Sequence, residues 1–262
     1  MRLVKAHAYG NDFLLAEEQE LAGADAAPLA RRLCDRHRGI GADGLMVFSQ
    51  SPRGASMRLL NADGSPSEIS GNGVRCLAAW LARERTLRPG ACVTIDTIAG
   101  AKRLDLLEEH GARLTFRAAM GPPEALTRRT LDVDSRPIDV VTLRVGNPQC
   151  VVLGEVTEQR LHAVASKLSV HPAFPEGTNV ELASVEAPDR VRILIWERGV
   201  GPTEASGTGA CAAAVAAAAY GGAARDVQIV SPGGTQRVEW LADGLYLTGW
   251  AEVIATVQWL AS

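Results

Sequence analysis

The sequence predicts an α/β (α+β) fold of two pseudo-symmetric domains, each a curved, mostly antiparallel sheet around one central helix. Three observations carry this expectation. First, one local pattern occurs twice. Gly10-Asn11 is followed by Ser70-Gly71-Asn72-Gly73, and Gly146-Asn147 is followed by Ser206-Gly207-Thr208-Gly209. Gly10 and Gly146 are 136 residues apart, and so are Ser70 and Ser206, which points to an internal duplication. Second, strand signals outnumber helix signals along the chain. Third, each S-G-x-G opens a helical pattern, and the second of these is nearly all alanine. A helix that is apolar all round must be buried, and small side chains let a curved sheet close on it.

In chain order, Pro28–Arg38 reads as a first helix and Gly71–Arg85 as a second, with Val74, Leu77, Ala78 and Leu81 on one face. Arg103–Leu107 and Arg113–Phe116 flank Glu108–Ala112, with Gly111 in the turn, and read as a hairpin. Pro122-Pro123 and the polar stretch Arg128–Pro137 are expected to mark the boundary between the halves. The N-terminal half is then 1–121 and the C-terminal half 122–251. Asp139–Val145 runs into the Gly146-Asn147-Pro148 turn, and Cys150–Leu153 resumes as a short strand. Arg190–Trp196 alternates Val191, Ile193 and Ile195 against Arg190, Arg192 and Leu194, as a half-buried strand does. Gly207–Tyr220 is the alanine-rich helix, with Cys211 and Val215. Gln236–Trp240 and Leu245–Thr248 bracket Asp243-Gly244, a strong hairpin signal. Glu252–Trp259 reads as a last strand.

Composition excludes several function classes. A chain of 262 residues accommodates two domains of ordinary size, and 47% apolar residues is normal for a globular protein. A net charge of −3 with scattered basic residues gives no footprint for nucleic acid. No apolar run approaches the roughly 20 residues that span a bilayer. Met1-Arg2-Leu3-Val4-Lys5 lacks the apolar core of a signal peptide, so a cytoplasmic location is expected. The five cysteines (Cys34, Cys76, Cys92, Cys150, Cys211) are odd in number and contain no C-x-x-C pair. The five histidines show no metal-ligand spacing, so no metal is expected. The only lysines are Lys5, Lys102 and Lys167, and none adjoins a Gly-rich phosphate cradle. A pyridoxal-phosphate Schiff base is therefore not expected, and the reading requires no cofactor.

The S-G-x-G positions carry chemical meaning. A helix N-terminus presents unpaired N–H groups and a partial positive charge. Glycine there lets a ligand approach the backbone closely. Two such ends suit a substrate carboxylate, and a residue at the cap position stands beside it. A thiol at that place has its pKa lowered and can act as a base. The plainer alternative is that serine simply caps a helix, since it is among the preferred N-cap residues. The duplicated spacing favours the functional reading for the pair.

Several motifs, in one consistent order, resemble those of the diaminopimelate epimerase family. They are Ala8-Tyr9-Gly10-Asn11-Asp12-Phe13, Asn61-Ala62-Asp63-Gly64-Ser65, Gly71-Asn72-Gly73-Val74-Arg75-Cys76, Gly146-Asn147-Pro148, Glu176-Gly177-Thr178-Asn179, Glu197-Arg198-Gly199 and Gly207-Thr208-Gly209-Ala210-Cys211. The resemblance covers the whole chain. It implies two pseudo-symmetric domains, a cofactor-independent site in the cleft between them, and a homodimer. It also implies that the last strand, about 252–262, returns to complete the first half. The implied reaction inverts one α-carbon of diaminopimelate, a precursor of lysine and peptidoglycan, with one thiolate removing the α-proton and a thiol on the opposite face returning another. By resemblance, Asn11, Asn61, Gly71, Asn72, Asn147, Asn179, Arg198, Gly207 and Thr208 bind the substrate, a small amino acid. Arg198 is suited to bidentate carboxylate recognition and Glu197 to an ammonium group.

The departures fall on proton transfer. Ser70 and Ser206 occupy the two thiol positions, and Gln149 stands where the family typically has a histidine. Glu197 matches the carboxylate that supports the other thiol. Serine is far less acidic than cysteine and needs a neighbouring base, and glutamine has no useful proton-accepting chemistry near neutral pH. Three readings stay open at this point: an epimerase whose serines work slowly or with help, a related isomerase or lyase with one-base chemistry, and a catalytically impaired binder or Cys-to-Ser form.

Overall fold

The computed structural model describes residues 1–67, 70–98 and 100–260. The chain divides into two compact units, Met1–Ala118 with Gly249–Ser262, and Ala119–Thr248. Residues 261 and 262, which end the stretch expected to complete the first half, lie outside the described residues.

In the first unit, β1 (Arg2–Ala8) and β2 (Asn11–Glu17) form a hairpin in register from Val4↔Leu15 to Ala8↔Asn11. Tyr9 and Gly10 make the turn with φ of 56° and 88°. Two successive positive φ values match the twist of the flanking strands. Helix α1 (Ala26–Cys34) leads to β3 (Gly44–Ser51), which pairs parallel to β2. Next, β4 (Gly54–Asn61) pairs antiparallel to β3 and meets the short β5 (Pro66–Ser67). Helix α2 (Gly71–Glu84) follows, and β6 (Cys92–Thr97) returns parallel to β4. Finally β7 (Gly100–His110) and β8 (Arg113–Gly121) add antiparallel strands. The far edge of β1 is covered by β17 (Gly244–Gln258), from Arg2↔Gln258 to His7↔Glu252. Helix α2 touches β1, β2, β6 and β7, so the sheet bends around it.

The second unit repeats this plan. Antiparallel β9 (Glu124–Val133) and β10 (Arg136–Val145) are followed by β11 (Asn147–Leu153) across a turn at Gly146. A helical segment over 158–169 leads to β12 (Asn179–Ala187), parallel to β11. Antiparallel β13 (Arg190–Glu197) and short β14 (Gly201–Thr203) precede helix α3 (Gly207–Tyr220). Then β15 (Asp226–Ser231) lies parallel to β13, with β16 (Gly234–Leu241) and residues 244–248 of β17 beside it. Helix α3 touches β10, β11, β12, β13, β15 and β16. Its residues Ala210 through Ala217 are all buried, together with Val151, Ala183, Ile193, Val227 and Val238. The alanines leave room for strands on every side, as the composition of this helix requires. Among the described residues no helix is long and apolar enough to cross a membrane.

The fold class is therefore as expected, with the duplication visible strand for strand. Several elements differ from expectation. Helix α1 begins at Ala26, not Pro28, because the Asp25 side chain accepts from Ala27 N (3.1 Å) and caps it. Pro28 then falls in the first turn, where its missing N–H costs nothing. The helix ends at Cys34 because Asp35 Oδ1 accepts from His37 N and Arg38 N, both at 2.8 Å, and turns the chain. The polar stretch Arg128–Pro137 is not a linker: β9 and β10 pair across it, from Arg136↔Val133 onward. Arg128, Thr130 and Asp132 are exposed there, while Arg129 and Leu131 between them are half-buried. The Glu108–Ala112 loop shrinks to a two-residue turn, as the strands continue to His110 past an irregularity at Leu106/Glu108. Leu245–Thr248 and Glu252–Trp259 belong to one continuous strand ending at Gln258.

Candidate active site

The first half-site assembles at the start of α2. Ser70 keeps extended backbone angles (φ −126°, ψ 118°) while its Oγ accepts from Gly73 N (3.1 Å) and its carbonyl accepts from Val74 N (2.9 Å). Serine is a good cap here because its short side chain reaches an otherwise unpaired N–H. Gly71, half-buried, opens the helix, and Asn72 behind it is buried. Asn72 Nδ2 donates to Asn11 Oδ1 (3.2 Å), and Asn11 Nδ2 donates to Asp43 Oδ2 (2.8 Å). Thus Ser70, Gly71, Asn72 and Asn11 come together. Asn61, at the end of β4, is occupied with Ser65: its Nδ2 donates to Ser65 Oγ (3.0 Å).

Arg75 stands one turn further along α2, is 0% exposed, and donates to Asn72 Oδ1. Its guanidinium lies 5.8 Å from the Tyr9 ring centroid. Tyr9 Oη accepts from Trp250 N (3.1 Å), and the two rings stack 4.4 Å apart. These contacts hold Tyr9 in its left-handed conformation, which an L residue otherwise avoids. A buried cation near the helix N-terminus adds to the partial positive charge of the free N–H groups. Cys76, by contrast, is buried within α2, and burial pushes its thiol well above the ordinary range.

The second half-site repeats the first cap. Ser206 has φ −134° and ψ 131°, its Oγ accepts from Gly209 N (3.2 Å), and its carbonyl accepts from Ala210 N (3.0 Å). Thr208 Oγ1 lies 3.5 Å from Ser206 Oγ, and Gly207 and Thr208 are both buried. Asn147 follows Gly146, whose φ is 76°, as Asn11 follows Gly10. Gln149 is 1% exposed, its Nε2 donates to Asn147 Oδ1, and it stands opposite Asn179 in the parallel register. Gln149 Oε1 has no hydrogen-bond partner among the described residues. Asn179 Oδ1 accepts from Arg198 N (2.9 Å), and Arg198 Nη1 donates to Glu176 O (2.8 Å). A Cβ on Gly177 would come within 2.9 Å of Arg198 Cδ, so glycine lets the Glu176-Gly177 turn pack on the arginine stem. Asn147, Gln149, Asn179 and Arg198 thus form one connected group, and Glu197 precedes Arg198 at the end of β13.

One residue here escaped the sequence reading. Glu181 on β12 is 0% exposed, and neither carboxyl oxygen has a hydrogen-bond partner among the described residues. Burial, and secondarily the Glu197 carboxylate, push its carboxyl well above the usual range. The signal lay in Val180-Glu181-Leu182-Ala183, where one acid interrupts a buried strand. Among the described residues no group of three or more His, Cys, Asp or Glu could hold a metal ion.

Chemically, each half-site offers helix N–H groups, a cap hydroxyl and adjacent amides, a set suited to a carboxylate with its neighbouring carbon. The family model for diaminopimelate epimerase matches residues 3–126 and 141–254. The chain is 39% identical to the diaminopimelate epimerase of Desulforudis audaxviator over an alignment of 279 residues, covering 99% of each chain. It is 38% identical to that of Xanthomonas campestris pv. campestris, covering 93% of this chain and 90% of the relative. Among solved structures, a predicted epimerase from Pseudomonas aeruginosa superposes with a TM-score of 0.76 at 17% identity, covering 100% of this chain and 99% of that one. A hydroxyproline epimerase from Agrobacterium vitis, with bound trans-4-hydroxy-L-proline, gives 0.72 at 16% identity, covering 98% and 91%. At such identities these two establish likeness of fold.

Proposed function

The chain belongs to the diaminopimelate epimerase family, and from that premise we propose that it is a cofactor-independent isomerase. It interconverts LL- and meso-diaminopimelate by removing and returning a proton at the α-carbon. The observation that carries this reading is the repeated cap: Ser70 and Ser206 stand at equivalent places on two duplicated helix N-termini. In this reading Ser70 and Ser206 occupy the positions of the family's two thiols, and they transfer the proton slowly because a hydroxyl is a weak acid and a weak base.

Each remaining residue has a role in the proposal. Gly71, Asn72, Gly207 and Thr208 present backbone N–H groups to the reacting end of the substrate. Their partial positive charge stabilises the electron pair left on the α-carbon. Asn11, Asn61, Asn147, Asn179 and Arg198 hold the distal amino and carboxylate groups. Glu197 supports Ser206, while Gln149, unable to take a proton, orients Asn147 through its amide. Residues 1–121, completed by the last strand, and 122–251 are the two halves of the enzyme. A cytoplasmic homodimer in lysine and peptidoglycan precursor synthesis completes the reading, and light scattering tests the dimer.

Calorimetric titration tests the substrate class. Diaminopimelate should bind, and lysine, which lacks the second carboxylate, should bind at least tenfold more weakly. Absence of diaminopimelate binding would remove the assignment.

A further inference from the structure

Glu181 occupies a place where an apolar side chain is expected. Along β12, Ala183 packs with the α3 core, while Val180 and Leu182 pack on the other face with Leu161, Ala165 and Leu168. Side chains alternate along a strand, so Glu181 shares the α3 face with Ala183. What it meets there is the first turn of the helix. The point where a Gly209 Cβ would sit lies 2.6 Å from Glu181 Oε1 and 3.2 Å from Ser206 Cβ. Carboxyl and cap serine therefore flank one small volume that only a glycine leaves open. Gly209 N is already donated to Ser206 Oγ and Ala210 N to the Ser206 carbonyl. The carboxyl takes neither bond, and both its oxygens are without partners among the described residues.

An ionised carboxylate buried without partners is strongly disfavoured, so the group settles as the neutral acid. The titratable and charged groups around it support that state. Glu197 on β13 contributes a like charge, Cys150 on β11 is a buried thiol raised by burial and then by Glu181 itself, and Arg129 on β9 acts on Cys150. His162 and Lys167 belong to the helical segment packed on the opposite face of β12. From α3 the first turn at Gly209 packs against the carboxyl, with the Ser206 and Thr208 hydroxyls at the helix start and the buried Cys211 thiol further along it.

We propose that Glu181 is a positioning residue for Ser206, holding the proton that the Ser206 hydroxyl passes to and takes from the substrate α-carbon. This rests on the epimerase reading. In the return step the carbanion electron pair forms a C–H bond with the Ser206 hydroxyl proton. For this the Ser206 side chain turns from its cap bond with Gly209 N toward the carboxyl; its oxygen then takes the Glu181 proton, and Glu181 is left as a carboxylate beside Glu197. In abstraction the order reverses: Ser206 Oγ takes the α-proton as its own passes to the Glu181 carboxylate, and the C–H electrons stay on carbon. No net charge is created on the serine, which is how a hydroxyl can serve where a thiolate is the better base.

Two measurements test the assignment. The first needs no substrate. In Ser206→Cys, thiolate absorbance is titrated with and without Glu181→Gln, the unsubstituted protein serving as the difference blank. A midpoint shift of about one pH unit or more is expected from removing a titrating acid that flanks the same volume as the thiol; an unmoved midpoint overturns the proposal. The second follows α-proton exchange of LL-diaminopimelate in D2O against pH. Glu181→Gln should lower kcat at least tenfold with KM within twofold and remove one limb of the profile, while Glu181→Asp should restore part of the rate. Superimposable profiles for the wild type and Glu181→Gln overturn it. Failure of diaminopimelate to bind would instead count against the epimerase reading, leaving the thiolate result to decide on Glu181.

Discussion

Replacing Gly209 and Gly73 by alanine gives a matched pair of perturbations, because the two residues hold the same position in duplicated helices. Each lies three residues after its cap serine and donates its N–H to that serine. Helix propensity favours alanine over glycine by up to about 1 kcal/mol at both. What differs is the neighbour. At Gly73 the new methyl would meet Met46 Cε at 2.7 Å and Ser70 Cβ at 3.3 Å. The methionine terminus is flexible and can swing aside. At Gly209 it would meet Glu181 Oε1 at 2.6 Å and Cδ at 3.2 Å. That carboxyl is fully buried and anchored on β12, so strain of about 1–3 kcal/mol is expected. Gly73→Ala should therefore be near neutral, and Gly209→Ala less stable by about 1–2 kcal/mol after the propensity gain. Differential scanning calorimetry should place the Gly209→Ala transition about 2–8 °C below that of Gly73→Ala, at roughly 2–4 °C per kcal/mol for a chain of this size. Equal transitions, or a more stable Gly209→Ala, would refute the placement of Glu181 against the helix start.

Three further outcomes are expected. Asp12 is pushed up by burial, but hydrogen bonds from Arg36 and Lys5 outweigh this and hold its carboxyl below the usual range. Its stabilisation is present above the unfolded carboxylate pKa and lost as pH falls through the lower folded value; Asp12→Asn should cost about 2 kcal/mol at neutral pH in urea unfolding and flatten that acid limb. Glu181 has the opposite sign, since its folded pKa is raised: its contribution is complete below the unfolded pKa and declines as pH rises toward the folded one. Relative to Glu181→Gln, wild-type stability should fall by up to about 1.4 kcal/mol per pH unit above roughly pH 4.5. Arg198→Lys loses the guanidinium fork but keeps the charge, and should raise the Kd for diaminopimelate about tenfold or more with the melting temperature unchanged.

Much of the fold was legible because it is repeated. The S-G-x-G pair marked two helix starts, and both serines are N-caps with the same backbone geometry. The alanine run of α3 announced a helix enclosed by strands. Regular alternation placed β13, whose Val191, Ile193 and Ile195 are all buried. Less legible were strands that lack alternation. In β2 and in the first five residues of β3 burial runs without alternation, because helices or further strands cover both faces, and period two disappears from the sequence. Strand β9 was missed for the opposite reason: it is so exposed that its composition reads as a loop, whereas Asp139–Val145 of its partner β10 was legible as a strand. Around the half-sites, the repeated Gly-Asn spacing singled out Asn11 and Asn147, and each does follow a residue of positive φ, Gly10 and Gly146. Arg75 and Glu181 were missed as groups in their own right, since a charge inside an apolar run shows its meaning only when the strand or helix facing it is known.

In the proposed function, Ser70 and Ser206 stand where the family transfers a proton, beside residues assigned to substrate binding. Proton NMR of LL-diaminopimelate in D2O, for the wild type and for Ser70→Cys/Ser206→Cys, measures this most directly. Binding by both proteins, slow loss of the α-proton signal with the wild type, and loss at least tenfold faster with the double variant are predicted. An exchange rate no faster in the double variant than in the wild type, with diaminopimelate bound to both, would contradict the placement of Ser70 and Ser206 at the reacting carbon.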